Sequence, residues 1–165
     1  MRHLISMLLQ NEAGALARVA GLFASRGYNI ESLTVAATHD EAVSRLTLVV
    51  FGDDITVDQV VKQTAKLVDV IDVAELTRRD HLERELSVVR VEGDGEAIDR
   101  YLARAGARLL QRDGGHSIVE YTGRTDDVDG FIDGLRNVAD IADHARSGVA
   151  AIERVPTALP DLSRA

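Results

Sequence analysis

Apolar and polar residues alternate along 30–38 and 44–52, and this alternation predicts two strands. Two further strands are predicted over 2–10 and 68–76. Between them, apolar residues three or four positions apart predict two amphipathic helices. The first runs from Ala15 to a stop at Gly27, and the second is N-capped by Thr56. Both faces of the first strand are mostly apolar, which requires a helix over one of them.

The second half of the chain repeats this order of elements more loosely. It predicts a first strand and helix, then a hairpin turning at Asp113-Gly114-Gly115, then a helix capped by Thr125. A closing strand is expected around Gly148, which reads equally as a structural bulge or as a partner contact. The predicted bounds are strand 86–91, helix 96–105, strands 108–112 and 117–123, and strand segments 141–146 and 149–152.

The strand-helix-strand-strand-helix-strand order, found twice, predicts an α+β protein made of two ferredoxin-like βαββαβ modules in tandem. The first module is expected over 1–77 and the second over 85–155. The charged stretch 78–84 is interpreted as a linker between them, and 156–165, with both prolines of the chain, as a flexible tail.

Composition excludes several classes of function. The net charge of −8 would repel a phosphate backbone, and aromatic residues, at 4% of the chain, offer few surfaces for stacking bases. The chain has no cysteine, so disulfides and thiol catalysis are excluded. No stretch approaches the roughly 20 apolar residues of a membrane span. We therefore expect a cytoplasmic protein that binds neither nucleic acid nor membrane.

The sequence contains no recognisable catalytic set. Its five histidines are scattered with no pair at helical spacing, and neither a G-x-S-x-G turn nor a glycine-rich phosphate loop is present. We therefore predict no catalytic residues, no bound metal and no cofactor on this chain. A small ferredoxin-like enzyme and an adaptor without a ligand remain alternatives from other functional classes.

Two turns flank the first predicted helix, and they are the candidate ligand site. Gly14 permits close approach to the backbone, and the free N–H groups of the first helical turn suit a carboxylate. Asn11 and Asn29 can both donate and accept hydrogen bonds, which suits a free amino acid. We expect the two turns to meet at one edge of a sheet. The competing interpretation is that these residues only shape turns that are common in this fold.

Two blocks of the chain closely resemble the regulatory, or small, subunit of acetolactate synthase, also called acetohydroxyacid synthase. They are Asn-Glu-Ala-Gly-Ala-Leu at 11–16 and Gly-Tyr-Asn-Ile-Glu-Ser-Leu-Thr-Val at 27–35. The similarity extends to about residue 152 and includes the segments 66–70, 83–85 and 145–149. The first block is highly specific for this family, and the other segments are supportive.

The resemblance implies that the first module is an ACT domain that pairs side by side with a second copy. Valine, or else leucine or isoleucine, would bind at that interface. Asn11, Gly14 and Ala15 would come from one subunit, and Asn29 with Ile30 from its neighbour. The chain would regulate a catalytic subunit that carries thiamine diphosphate, FAD and magnesium. Within the same binding class, an ACT-domain sensor for a different biosynthetic enzyme is the alternative.

Overall fold

The computed structural model describes residues 1–154, so the whole of the expected tail, 156–165, lies outside the described residues. The described residues divide into two compact units: unit 1 contains residues 1–82 and 149–154, and unit 2 contains residues 83–148. The elements are β1 (Arg2–Gln10), α1 (Ala15–Ser25), β2 (Ile30–Ala37), β3 (Val43–Phe51), α2 (Asp54–Thr64), β4 (Val70–Glu75), β5 (His81–Glu92), α3 (Gly95–Ala105), β6 (Arg108–Asp113), β7 (His116–Gly123), α4 (Thr125–Arg136) and β8 (Asp140–Glu153).

Unit 1 contains a four-stranded sheet in the order β2-β3-β1-β4. The strand β3 runs antiparallel to both of its neighbours, β1 and β2, and β4 runs antiparallel to β1. The predicted hairpin between β2 and β3 is confirmed. One face of the sheet packs with α1 and α2 through a core of Ile5, Met7, Leu9, Val19, Phe23, Leu46, Leu48, Val50, Val57 and Val60.

The other face of β1 is also buried, but residues close to the end of the described chain cover it instead of a helix. Leu4 packs in a cluster with Val149 and Ala151 of β8, and the remaining members are Val49, Ala74 and Leu76. The backbone N–H of Val149 also donates to Ser32 Oγ at 3.3 Å. Unit 1 is therefore completed by residues that the sequence assigned to the second module.

Unit 2 has the same kind of sheet, in the order β6-β7-β5-β8. The hairpin between β6 and β7 turns through Gly114 and Gly115, which both have positive φ. The core lies between the sheet and the helices α3 and α4, and it consists of Val89, Val91, Ile98, Leu102, Val119, Val128, Phe131, Ile132 and Leu135.

Three local predictions are corrected by the structure. The N-cap of α2 is Asp53, whose carboxylate accepts from the backbone N–H of Thr56 at 2.9 Å, so Thr56 is the capped residue and not the cap. The N-cap of α4 is Arg124, one residue before Thr125. The expected linker 78–84 ends early because β5 begins at His81. At the start of β5 the buried side chains are Glu83 and Glu85, whereas Leu82 and Leu86 are exposed. This inversion of the usual apolar pattern disguises the start of the strand.

Within residues 1–154, no helix is both long enough and apolar enough to cross a bilayer.

Candidate functional site

The turn at Gly14 connects the end of β1 to the start of α1. Gly14 is the N-cap of α1 with φ 91° and ψ −14°, a left-handed conformation that favours glycine. It offers no side chain to the free N–H groups of the first turn, and α1 has no acidic residue there. Each of the other three helices has at least one acidic residue in its first turn. The N–H of Ala15, the first residue of α1, donates to the carbonyl oxygen of Glu12 at 3.3 Å. No side chain caps the turn that follows, so the N-terminus of α1 is open to an external anion.

Asn11 holds this turn against the loop between β2 and β3. Its side-chain Nδ2 donates to the carbonyl oxygen of Glu41 at 2.8 Å, and its Oδ1 accepts from Ser44 Oγ at 3.0 Å. Its backbone N–H donates to the carbonyl oxygen of Ala42 at 2.7 Å. The side chain nevertheless remains exposed. Asn11 therefore shapes the turn, as the competing interpretation of these residues expected. Its side chain nevertheless faces solvent beside Gly14.

Asn29 and Ile30 lie at the opposite end of the sheet from Gly14. Ile30 pairs with Val50 near the end of β3, whereas Asn11 bonds to Ala42, just before β3 begins. The intervening strand spans about 23 Å at about 3.3 Å per residue. The expectation that the two turns meet at one edge within a single chain is therefore wrong. The reason is that α1 carries the chain back across the sheet, so that β2 starts where β1 starts.

An ion pair beside Gly14 was not found from the sequence. Arg18 Nε and Nη2 donate to the two carboxylate oxygens of Asp69, at 2.5 and 2.6 Å. Asp69 is buried, with a relative exposure of 3%, and Arg18 is about half exposed. The hydrogen bond from Arg18 holds the pKa of Asp69 below its ordinary value, and the same contact raises the pKa of Arg18. Within the sequence, the only signal was an acidic residue inside the apolar run 67–70.

A second polar cluster lies at the other end of β1. The ring of His3, with a relative exposure of 2%, has Nδ1 at 3.5 Å from Glu75 Oε1 and Nε2 at 3.5 Å from Asp54 Oδ1. Its Nε2 also lies 3.3 Å from the carbonyl oxygen of Gly52. Among the described residues, no group of three or more His, Asp and Glu side chains is arranged to hold a metal ion.

Two family models match this chain. Residues 5–72 match an AHAS small subunit-like ACT domain, and residues 84–155 match the small subunit of acetolactate synthase. A Salmonella typhimurium protein, acetolactate synthase isozyme 3 small subunit, is 43% identical over 157 residues, which cover 93% of this chain and 96% of that protein. A probable acetolactate synthase small subunit from Archaeoglobus fulgidus is 45% identical over 159 residues, covering 93% of this chain and 98% of that protein.

A solved structure is also similar over nearly the whole chain. The acetolactate synthase small subunit from Thermotoga maritima superposes with a TM-score of 0.84 at 34% sequence identity, covering 94% of this chain and 99% of that chain. Together with the βαββαβ order in both halves, this confirms the predicted fold class, two ferredoxin-like modules in tandem with an ACT domain at the N-terminus.

Proposed function

We propose a specific regulatory function for this chain, which belongs to the acetolactate synthase small-subunit family and is a regulatory subunit. It binds the catalytic subunit of acetolactate synthase, raises the activity of that subunit and confers feedback inhibition by valine. In this proposal the catalytic subunit carries thiamine diphosphate, FAD and magnesium, and the chain described here contributes regulation and no reacting group. The pathway served is the biosynthesis of branched-chain amino acids.

The observation that supports a shared valine site is the separation of the two candidate turns within one chain. β2 is the outer strand of its sheet, so its outer edge can pair with a second copy. If two copies pair antiparallel through β2, the start of one β2 lies beside the end of the other. This pairing brings Asn29 and Ile30 of one subunit to the end of the sheet that holds Asn11, Gly14 and Ala15 of its neighbour.

In this proposal, valine inhibits by linkage. An effector shifts an equilibrium only through different affinities for two states of the protein. Valine bound between two ACT domains stabilises the paired state, and that state restrains the activated catalytic subunit. Valine should therefore raise the melting temperature of the isolated chain and increase its dimer fraction. A chain whose melting temperature and association are both unaffected by valine contradicts this mechanism. Parallel measurements with leucine and isoleucine establish which branched-chain amino acid is the effector.

The variant Gly14→Asp tests where the effector binds. It introduces a negative charge at the N-terminus of α1, where the carboxylate of valine is proposed to lie, and the φ of 91° adds strain for any side chain. We expect acetolactate formation by the reconstituted complex to become insensitive to valine.

The matched control is Gly21→Asp, which makes the same substitution within α1. A Cβ at Gly21 meets no atom within 4 Å, and this residue lies away from the turn. We expect this control to keep valine inhibition. If Gly14→Asp also retained inhibition, the valine site would have to lie elsewhere. A complex that forms but shows no response to any amino acid would favour the adaptor role.

A further inference from the structure

We infer that Arg18, held in place by Asp69, is the side chain that receives the carboxylate of the amino-acid effector at Gly14. This inference rests on the proposed function and adds to it the residue that binds the effector's carboxylate. The ligand class is a free α-amino acid, which is recognised here by its carboxylate and not by its side chain.

The first argument is the orientation of the guanidinium. Asp69 accepts from Nε and Nη2 of Arg18, so one edge of the planar group is occupied. The remaining nitrogen, Nη1, lies 2.9 Å from the point that a Cβ on Gly14 would occupy. Within residues 1–154, Nη1 has no hydrogen-bond partner. Two N–H donors therefore remain free, immediately beside the backbone of the turn.

The second argument is the rigidity that Asp69 provides. An arginine side chain loses considerable rotational freedom when it is fixed, and this loss would weaken ligand binding. Here the buried carboxylate fixes the guanidinium before a ligand arrives. Asp69 is itself anchored, because its backbone carbonyl oxygen accepts from the N–H of Gln10 at the end of β1. The free donors of Arg18 are thus presented in one orientation.

Unit 2 provides an internal comparison, because a guanidinium there also lies over a glycine at the start of a helix, Gly95 of α3. Arg112 Nη1 is 3.2 Å from the Cβ point of Gly95. In that unit, however, Arg112 donates to both carboxylate oxygens of Asp99, to Ser117 Oγ and to the carbonyl oxygen of Gly95. The helix is also capped by Asp94, which accepts from Glu96 N–H at 3.1 Å. In unit 2, side chains and backbone of the chain itself therefore occupy the guanidinium donors and cap the helix. In unit 1, Nη1 of Arg18 remains free and no side chain caps α1.

The electrostatics of α1 favour an anion at this position. The N-terminus of a helix carries a partial positive charge, so a cation beside it is unfavourable unless it is neutralised. Asp69 balances the charge of Arg18 from the buried side. A carboxylate on the exposed side would receive charge-assisted hydrogen bonds from Nη1 and meet the free N–H groups of the first helical turn.

The test is a thermodynamic cycle of binding affinities, in which one change removes the cation from the protein and the other removes the carboxylate from the ligand. The protein variant is the double substitution Arg18→Gln with Asp69→Asn in the full chain, since Arg18→Gln alone would leave a buried carboxylate without its partner. The ligand pair is valine and valinamide, in which an amide replaces the carboxylate. The control is Arg26→Gln at the C-cap of the same helix, where Nη2 donates to Gln63 Oε1 at 2.8 Å on the surface.

We expect the double variant to bind valine about 10- to 100-fold more weakly than the unmodified chain, as measured by calorimetry, while Arg26→Gln is unchanged. Valinamide should bind weakly to all three proteins, so that the preference for valine over valinamide falls by the same factor in the double variant. Circular dichroism establishes that the variant is folded, and the single variant Asp69→Asn, which frees Arg18 to move, should show an intermediate loss.

Failure of this inference is distinguishable from failure of the proposed function. If the unmodified chain binds valine and the folded double variant keeps both the affinity and the preference over valinamide, Arg18 is not the carboxylate receptor, and the valine site can still stand. If the unmodified chain does not bind valine at all, the proposed function and this inference are both overturned.

Discussion

Val149 offers a direct test of which unit the last described strand stabilises. The periodicity of the sequence assigns it to the C-terminal module, but its side chain, 2% exposed, packs with Leu4 of β1. The substitution Val149→Ala removes two methyl groups from this cluster and leaves the backbone of β8 unchanged. We expect it to destabilise unit 1, at a distance of more than a hundred residues along the sequence.

The magnitude follows from the burial. Removing two buried carbon atoms costs about 0.8 kcal/mol each for transfer, and incomplete collapse of the cavity brings the total to about 2 kcal/mol. Since about 1.4 kcal/mol changes an equilibrium constant tenfold, the opening equilibrium of β1 should increase about 30-fold.

Native-state amide hydrogen exchange, resolved by residue, measures this change. The amide of Met7 in β1 should exchange about 30-fold faster in Val149→Ala, whereas that of Val119 in β7 should be little changed. The control is Ile152→Ala in the same strand, because Ile152 is 59% exposed and its truncation should alter neither rate. Faster exchange at Val119 with an unchanged rate at Met7 would refute the assignment of Val149 to unit 1.

Two further predictions concern polar contacts. The folded-state pKa of Asp69 is lowered by Arg18, so the stability that this pair contributes is present above the pKa of an unfolded aspartate and is lost as the pH falls through the folded-state value. Urea unfolding should therefore show a larger loss of stability between about pH 5 and about pH 2 for the unmodified chain than for Asp69→Asn, and equal losses would contradict the pairing. In unit 2, Tyr101 donates through its hydroxyl to the carbonyl oxygen of Phe131 at 2.7 Å while its ring stacks on Phe131. Tyr101→Phe should keep the stacking and lose about 1 kcal/mol of unfolding free energy, as thermal unfolding would show.

Much of the fold could be predicted from local periodicity. The bounds of β1 were predicted to the residue, and the turn at Gly114 and Gly115 was predicted from its composition. These features depend on neighbours along the chain, which a pattern of apolar and polar residues reports directly. The helix caps were missed by one to three residues, because Asp53 and Thr56 are both good capping residues and only backbone geometry distinguishes them.

The candidate site was predicted in its parts but not in its arrangement. The sequence determined that Asn11, Gly14 and Asn29 lie in turns around one helix, since turn residues act locally. Only the tertiary structure decided that these turns lie at opposite ends of β3, because the direction in which α1 returns the chain is a property of the packed sheet.

The ion pair between Arg18 and Asp69 was missed for the same reason, because the two residues are 51 positions apart in the chain. The sequence by itself determined that one is a basic residue on a polar helix face and the other an acidic residue in an apolar run. Periodicity reports the face on which a residue lies but not the residue it meets across the fold. Only tertiary packing placed the two together beside Gly14, and only tertiary packing made Val149 part of the unit that begins with β1.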